Sequence, residues 1–204
     1  MVNILLRTSR DIYNLILVKQ VAKVEEKYCL FNWKTIWKNV ASKLIRSDER
    51  CVLFKYLHEI LPNNLRLYEI KRKPSPNCDI CNLEENNLHM MYYCKNKQSL
   101  VKFLRGLLQK CLFRNDLSLI KMLFLDTSGF RQRDSNTITV IVTTFICTIW
   151  YNREFTGDKI NILKRNIILN QTYYRTILKD NMSKIFNDQY CQINSSFLDN
   201  ILIN

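Results

Sequence analysis

Glycine and proline are scarce in this chain, with three of each among 204 residues. Folds with many β-strands depend on turns that these residues favour, so the scarcity argues against such folds and favours long helices. Long apolar runs are missing too. The nearest one, residues 138–151, is interrupted by threonines and is shorter than the ~20 residues that a transmembrane helix needs. We therefore expect a mainly α-helical protein that does not span or bind a membrane.

A typical secretory signal is also missing. The apolar stretch near the N-terminus is broken by Arg7, Arg10 and Asp11. The chain has eight cysteines, but its length and the lack of a signal argue against a disulfide framework. We expect an intracellular protein of the nucleus or cytoplasm, in which the cysteines outside the motif described below are small buried apolar groups.

Acidic residues are outnumbered, with 18 Asp and Glu against 31 Lys and Arg, for a formal net charge of +13. The excess is concentrated in residues 33–113, which hold 15 basic and 7 acidic side chains. An excess of this size favours a polyanionic partner such as RNA or DNA, because Lys and Arg neutralise phosphates and release counterions. A solvated basic surface without such a partner is an equally good interpretation of the charge alone.

Cys78, Cys81, His89 and Cys94 form the most informative pattern, C-x2-C-x7-H-x4-C. Three thiolates and one imidazole are a set that Zn²⁺ favours, and four protein ligands leave no open position for a substrate. The spacing therefore predicts one structural Zn²⁺ per chain, in a small zinc knuckle embedded in the helical domain. Chance spacing among eight cysteines is the alternative. The second histidine, His58, is expected to be a hydrogen-bonded helix residue and not a ligand.

Basic residues flank this motif, whereas the charged residues inside it are acidic. The candidates for phosphate contacts are Arg66, Lys71, Arg72, Lys73, Lys95, Lys97, Lys102 and Arg105. Tyr92 and Tyr93 can stack on bases or pack over the metal site, and we favour packing.

Apolar periodicity predicts a series of helices. They cover residues 2–28, 33–44 with Asn32 as N-cap, 47–60, a short segment over 62–71, a turn over 89–94, 99–113, a short element within 115–125, 137–155 and 158–186. The β-branched run in 137–155 also suits a buried strand, but its length favours a helix. Residues 128–136 are expected to be a polar break, and the tail from Asn187 to be frayed.

These elements suggest four parts. They are an N-terminal helical arm (1–32), a helical zinc-binding domain (33–127), C-terminal helices that pack on it (137–190) and a tail (191–204).

The chain from about residue 33 to 155 resembles the zinc-binding domain that follows the polymerase in reverse transcriptases of non-LTR retrotransposons. The matching features are Trp33-Lys-Thr-Ile-Trp37, Phe54-Lys-Tyr-Leu-His-Glu-Ile-Leu-Pro62, Leu65–Lys73, the Cys78–Cys94 motif and Ile149-Trp150-Tyr151-Asn152-Arg153. The resemblance implies a mainly helical module that binds template RNA or target DNA beside a reverse transcriptase core, with the four motif residues as metal ligands.

No pair of polymerase aspartates, no RNase H carboxylate set and no endonuclease signature is apparent in the sequence. We therefore expect a non-enzymatic module that looks like a detached fragment of such an element. A structural or protein-interaction domain, and an element remnant without function, are the alternatives.

Overall fold

The computed structural model describes residues 24–153, 157–177 and 195–200, and the regular structure within these ranges is helical. The α-helices are α1 (Trp33–Val40), α2 (Ser47–Leu57), α3 (Asn64–Glu69), α4 (Gln98–Leu112), α5 (Leu119–Leu123), α6 (Gln132–Tyr151), α7 (Lys159–Ile177) and α8 (Ser195–Asp199). A π-helical turn at His89–Tyr93 and a 3₁₀ turn at Lys95–Lys97 lead into α4. The expected mainly α fold is confirmed.

Helices α1 and α2 are shorter than the periodicity predicts. Asn32 caps α1 as expected, because its Oδ1 accepts a hydrogen bond from the amide of Thr35 at 3.0 Å. α1 stops at Val40, not at residue 44, and the Arg50 guanidinium binds three carbonyl oxygens between Val40 and Ile45. These hydrogen bonds satisfy the end of the helix in place of a further turn.

α2 stops at Leu57, not at residue 60, because the next residues form a left-handed cap. Glu59 has a φ of +56°, and the amide of Ile60 donates to the carbonyl of Lys55 at 2.9 Å. This six-residue closure is the hydrogen bond of a Schellman motif, which ends a helix.

The central helix is α6, which contacts α2, α4, α5 and α7. It begins at Gln132, so the polar break predicted for 128–136 is shorter than expected. The choice of helix over strand for this β-branched run is confirmed. Two of its buried threonine hydroxyls are satisfied within the helix: Thr139 donates to Ser135 O at 2.7 Å and Thr144 to Val140 O at 2.8 Å.

The apolar core lies between α6 and the helices around it. α4 contributes the side chains predicted from its spacing, which are at most 2% exposed: Leu100, Phe103, Leu104, Leu107 and Leu108. This stripe holds α4 against the core, because burial of each large apolar side chain stabilises the fold by roughly 1.5–3 kcal/mol.

The ends of the chain are described only in part. The helix predicted over 2–28 lies outside the described residues except for 24–27, which are helical. α7 falls within the predicted 158–186, and residues 178–186 lie outside the described ranges. The tail expected to be frayed contains α8, whose Leu198 is fully buried and whose Asp199 pairs with Lys164 at 2.7 Å.

The structure describes four of the cysteines outside the motif, and only two of them are buried. Cys111 and Cys147 are buried as expected, but Cys29 and Cys51 are exposed, because they fall on the outer side of their segments. In the described ranges no helix is both long enough and apolar enough to cross a membrane.

Candidate metal centre

Cys78 and Cys81 lie on a tight turn that closes a short β-like pairing. The amide of Cys78 donates to Leu83 O at 2.8 Å, and an isolated antiparallel bridge joins Asn77 and Glu84. Asn82 closes the turn with a φ of +55°, a conformation that Asn adopts more readily than most residues. The local sequence therefore favours a turn that points both thiols the same way.

His89 and Cys94 lie at the two ends of the π-helical turn. The amide of Cys94 donates to the carbonyl of His89, five residues earlier, at 2.9 Å. In an α-helix, residues five apart lie about 140° apart around the axis, so their side chains diverge. The wider turn brings them to one side. Asn86 starts the turn, because its Oδ1 accepts from the His89 amide at 2.9 Å.

The four side chains predicted as ligands converge. One ligand atom from each lies within 4.8 Å of the others. The Sγ of Cys94 is 3.9 Å from that of Cys78 and 3.8 Å from that of Cys81. A tetrahedron with metal–sulfur bonds of ~2.3 Å has edges of about 3.8 Å, so these sulfurs already have the spacing of a tetrahedral site.

His89 Nε2 supplies a further sign that this cluster binds a metal. The atom is buried and has no hydrogen-bond partner. A buried polar atom without a partner is costly, and coordination to a metal removes that cost. Within the described residues, the predicted Cys₃His set is therefore a cluster that can hold a metal ion.

Neighbouring groups and burial shift the pKa values of the thiols. The amide of Lys95 donates to Cys81 Sγ at 3.2 Å, and this hydrogen bond lowers the pKa of the Cys81 thiol. Burial raises the pKa of Cys94 to about 12. Cys94 therefore needs a cation to become a thiolate near neutral pH, and metal binding has to displace its proton.

A network of buried asparagines fixes the candidate metal-binding segment, residues 77–94, to the helices. Asn63 Nδ2 donates to Asn87 Oδ1 at 2.6 Å, and Asn87 Nδ2 donates to the carbonyl of Tyr56 at 2.7 Å. Asn63 also caps α3 by accepting from the amide of Arg66 at 2.8 Å. The segment just before His89 is thus held to the end of α2 and the start of α3.

Arg153 and Glu85 form the second attachment. Arg153 pairs with the Glu85 carboxylate at 2.7 Å, and it also donates to Pro62 O at 2.6 Å and to Asn64 Oδ1 at 2.9 Å. The same Glu85 oxygen accepts from the amide of Asn64 at 3.1 Å. Sequence reasoning gave Glu85 no role and included Arg153 only in the resemblance. The pairing spans 68 residues, and no local pattern points to it.

The basic residues predicted to contact phosphates divide into three groups. The exposed residues are Lys71, Arg72, Lys95, Lys102 and Arg105. Arg66 and Lys73 are partly exposed and have acidic neighbours, since Arg66 pairs with Glu69 at 2.9 Å and Lys73 lies 3.5 Å from Asp79.

Lys97 differs from the other seven candidates, because its side chain is buried and only 6% exposed. Burial, and the neighbouring cation Lys159, lower the pKa of Lys97 to about 8. Lys97 is the last residue of the 3₁₀ turn and the one that the turn buries.

The two tyrosines behave differently. Tyr92 packs against the apolar core, and its hydroxyl accepts a hydrogen bond from Arg105 at 3.2 Å. Tyr93 is 53% exposed and meets the Tyr92 ring edge-on, with 4.9 Å between the ring centroids.

The expectation of a hydrogen-bonded His58 is wrong. Both ring nitrogens are buried without a partner, because the ring lies against Phe54 and Trp37, with centroid distances of 4.2 Å and 5.4 Å. Burial lowers the pKa of His58. It takes no part in the metal cluster, in agreement with the sequence prediction.

A scan against models of known protein families, a search of curated proteins and a search of solved structures each returned no match for this chain.

Proposed function

We propose that this chain is a zinc-stabilised module that binds RNA or DNA and has no catalytic activity of its own. The observation that carries the proposal is the convergence of three sulfurs and the His89 imidazole within 4.8 Å of one another, beside exposed cations. Zn²⁺ is the proposed ion because tetrahedral sites with thiolate and imidazole ligands suit it better than Mg²⁺ or Ca²⁺.

The role of the ion is structural in this proposal. Four protein ligands complete a tetrahedron, so no position remains for a bound water or a substrate. The ion would connect the Cys78–Cys81 turn to the π-helical turn that leads towards α4.

The nucleic-acid role is supported by the cations beside this site. Lys71 and Arg72 lie on the exposed turn before Cys78, and Lys95 follows directly after Cys94. Among the described residues no carboxylate pairs with these three side chains, so their charge is available to phosphates. A place beside a reverse transcriptase core belongs to the same proposal and is supported by the sequence resemblance over 33–155.

The first experiment measures metal content and nucleic-acid binding together. We expect one zinc per purified chain and its loss in Cys81→Ser. Binding of single-stranded RNA and DNA should weaken steeply with salt. In the double variant Lys71→Gln/Arg72→Gln, the slope of log affinity against log salt should become shallower by the equivalent of about two phosphate contacts.

Lys34→Gln/Lys55→Gln provides the matched control, because both lysines are exposed, lie on α1 and α2 and are not among the basic residues that flank the motif. Equal loss in the two double variants would show non-specific attraction to net charge. Absence of binding at low salt would refute the nucleic-acid role.

A protein-interaction role is the second candidate, and one observation favours it. The tip of the metal-binding turn exposes two large apolar side chains, Ile80 at 57% and Leu83 at 60%. If they dock on a protein partner, Ile80→Ser/Leu83→Ser should abolish self-association or partner binding while zinc content stays at one per chain. Sedimentation and filter binding on the same samples separate the two candidates.

A further inference from the structure

A cleft of about 740 Å³ lies between the metal-binding segment and the start of α7. Its volume falls in the range of small-molecule sites, roughly 300–1,000 Å³. Four cationic side chains line it: Lys73, Lys97, Arg153 and Lys159. Three acidic ones also line it: Asp79, Glu85 and Asp158.

The three carboxylates are committed elsewhere. Glu85 pairs with Arg153, and Asp79 lies 3.5 Å from Lys73. Asp158 caps α7, because its Oδ1 accepts from the amides two and three residues later at 2.9 Å and 3.1 Å. The Glu85 carboxylate and the Cys94 sulfur lie near enough to Lys97 to attract its charge, but among the described residues neither accepts a hydrogen bond from it.

Lys97 is the unusual member of the cleft. It is 94% buried, and in the described ranges no carboxylate, carbonyl or sulfur atom accepts a hydrogen bond from its Nζ. The Lys159 side chain lies beside it, and among the described residues the hydrogen bond of Lys159 to an oxygen is a long one, 3.5 Å to the carbonyl of Arg153. Two neighbouring ammonium groups repel each other, and a buried cation is costly without an anion.

The α7 N-terminus adds to this field. Asp158, Lys159 and Ile160 line the cleft, and the first turn of a 19-residue helix carries the positive end of its dipole. A metal held by three thiolates would carry a net charge near −1 and would offset part of the lysine charge. It would not supply the missing hydrogen-bond acceptor.

We propose that this cleft binds a phosphate group between the ammonium groups of Lys97 and Lys159. The phosphate can belong to a nucleic acid, in which case the inference rests on the proposed function, or to a free nucleotide or inorganic phosphate. Both sources present the same oxygens to the two lysines, and they are separated by the choice of probe.

The test uses the full zinc-loaded chain in phosphate-free buffer. Calorimetry measures the affinity for inorganic phosphate and for adenosine monophosphate, and filter binding measures the affinity for a single-stranded RNA of about twelve nucleotides. The variants are Lys97→Gln and Lys159→Gln, with Lys34→Gln as the exposed control. Zinc content and helicity of each variant are measured first, and Lys159→Gln carries the test if Lys97→Gln does not fold.

We expect Lys159→Gln to weaken binding of at least one probe fivefold or more, and Lys34→Gln to change it less than twofold. Loss of phosphate and nucleotide binding identifies a site for free phosphate compounds. A loss confined to RNA identifies a backbone phosphate.

Equal affinities of the Lys159→Gln and Lys34→Gln variants for all three probes would overturn the inference. If the two cleft variants still bind RNA normally and phosphate does not bind, the cleft inference fails and the nucleic-acid proposal stands. If phosphate binds in the cleft and RNA does not bind at all, the nucleic-acid proposal fails alone.

Discussion

Replacement of Arg153 tests whether the metal-binding segment depends on its attachment to the end of α6. Arg153→Met removes the charge and keeps the aliphatic stem. It leaves the Glu85 carboxylate, whose side chain is only 12% exposed, with the Asn64 amide as its remaining hydrogen-bond donor among the described residues. Breaking a buried ion pair from one side costs about 3–5 kcal/mol, and we expect the lower end because the Arg153 side chain is 23% exposed.

A double-mutant cycle separates the ion pair from simple truncation. In Arg153→Met/Glu85→Gln the amide oxygen of Gln can still accept from the Asn64 amide, and no charge is left unpaired. The double variant should therefore recover at least ~1 kcal/mol relative to the sum of the single changes. Urea unfolding of zinc-loaded protein measures all four free energies of unfolding.

Arg165→Met is the control, because Arg165 is an exposed residue of α7. It should change the free energy of unfolding by no more than about 0.5 kcal/mol. The reasoning is refuted if Arg153→Met costs as little as this control, or if the single changes at Arg153 and Glu85 are additive.

Three further predictions concern the core and the metal. Asn39→Ala should destabilise by roughly 2 kcal/mol in urea unfolding, since Asn39 Nδ2 binds Leu125 O at 2.9 Å and Thr127 Oγ1 at 2.8 Å; Lys34→Ala should not. Burial lowers the pKa of His58 in the folded chain, so below a pH of about 6.5 the unfolded chain binds a proton more readily than the folded chain does. Stability should therefore fall as the pH falls below that value. His58→Phe should reduce this loss, as measured by melting at several pH values. Chelation of the metal should lower Tm yet leave most far-UV helicity at low temperature, because α4 and α6 are held by the apolar core; complete loss of helicity would contradict this.

The order of elements could be predicted from sequence because most of it depends on local patterns. The apolar stripe of α4 and the Asn32 cap of α1 are properties of neighbouring residues, and both are present in the structure. Helix ends were less accurate. Arg50 satisfies carbonyls up to ten residues away, and Glu59 adopts a left-handed conformation, and neither effect follows from periodicity.

The set of candidate metal ligands was determined by the sequence alone. All four lie between Cys78 and Cys94, and short-range turns orient them, so spacing and side-chain chemistry were sufficient to identify them. Tertiary structure decided which charges remain on the surface. Lys97 is buried beside Lys159, and Glu85 is paired with Arg153, because helices α4, α6 and α7 bring together residues more than sixty positions apart. Such pairings depend on how helices pack in three dimensions, and this information is not contained in the spacing of residues along a single segment.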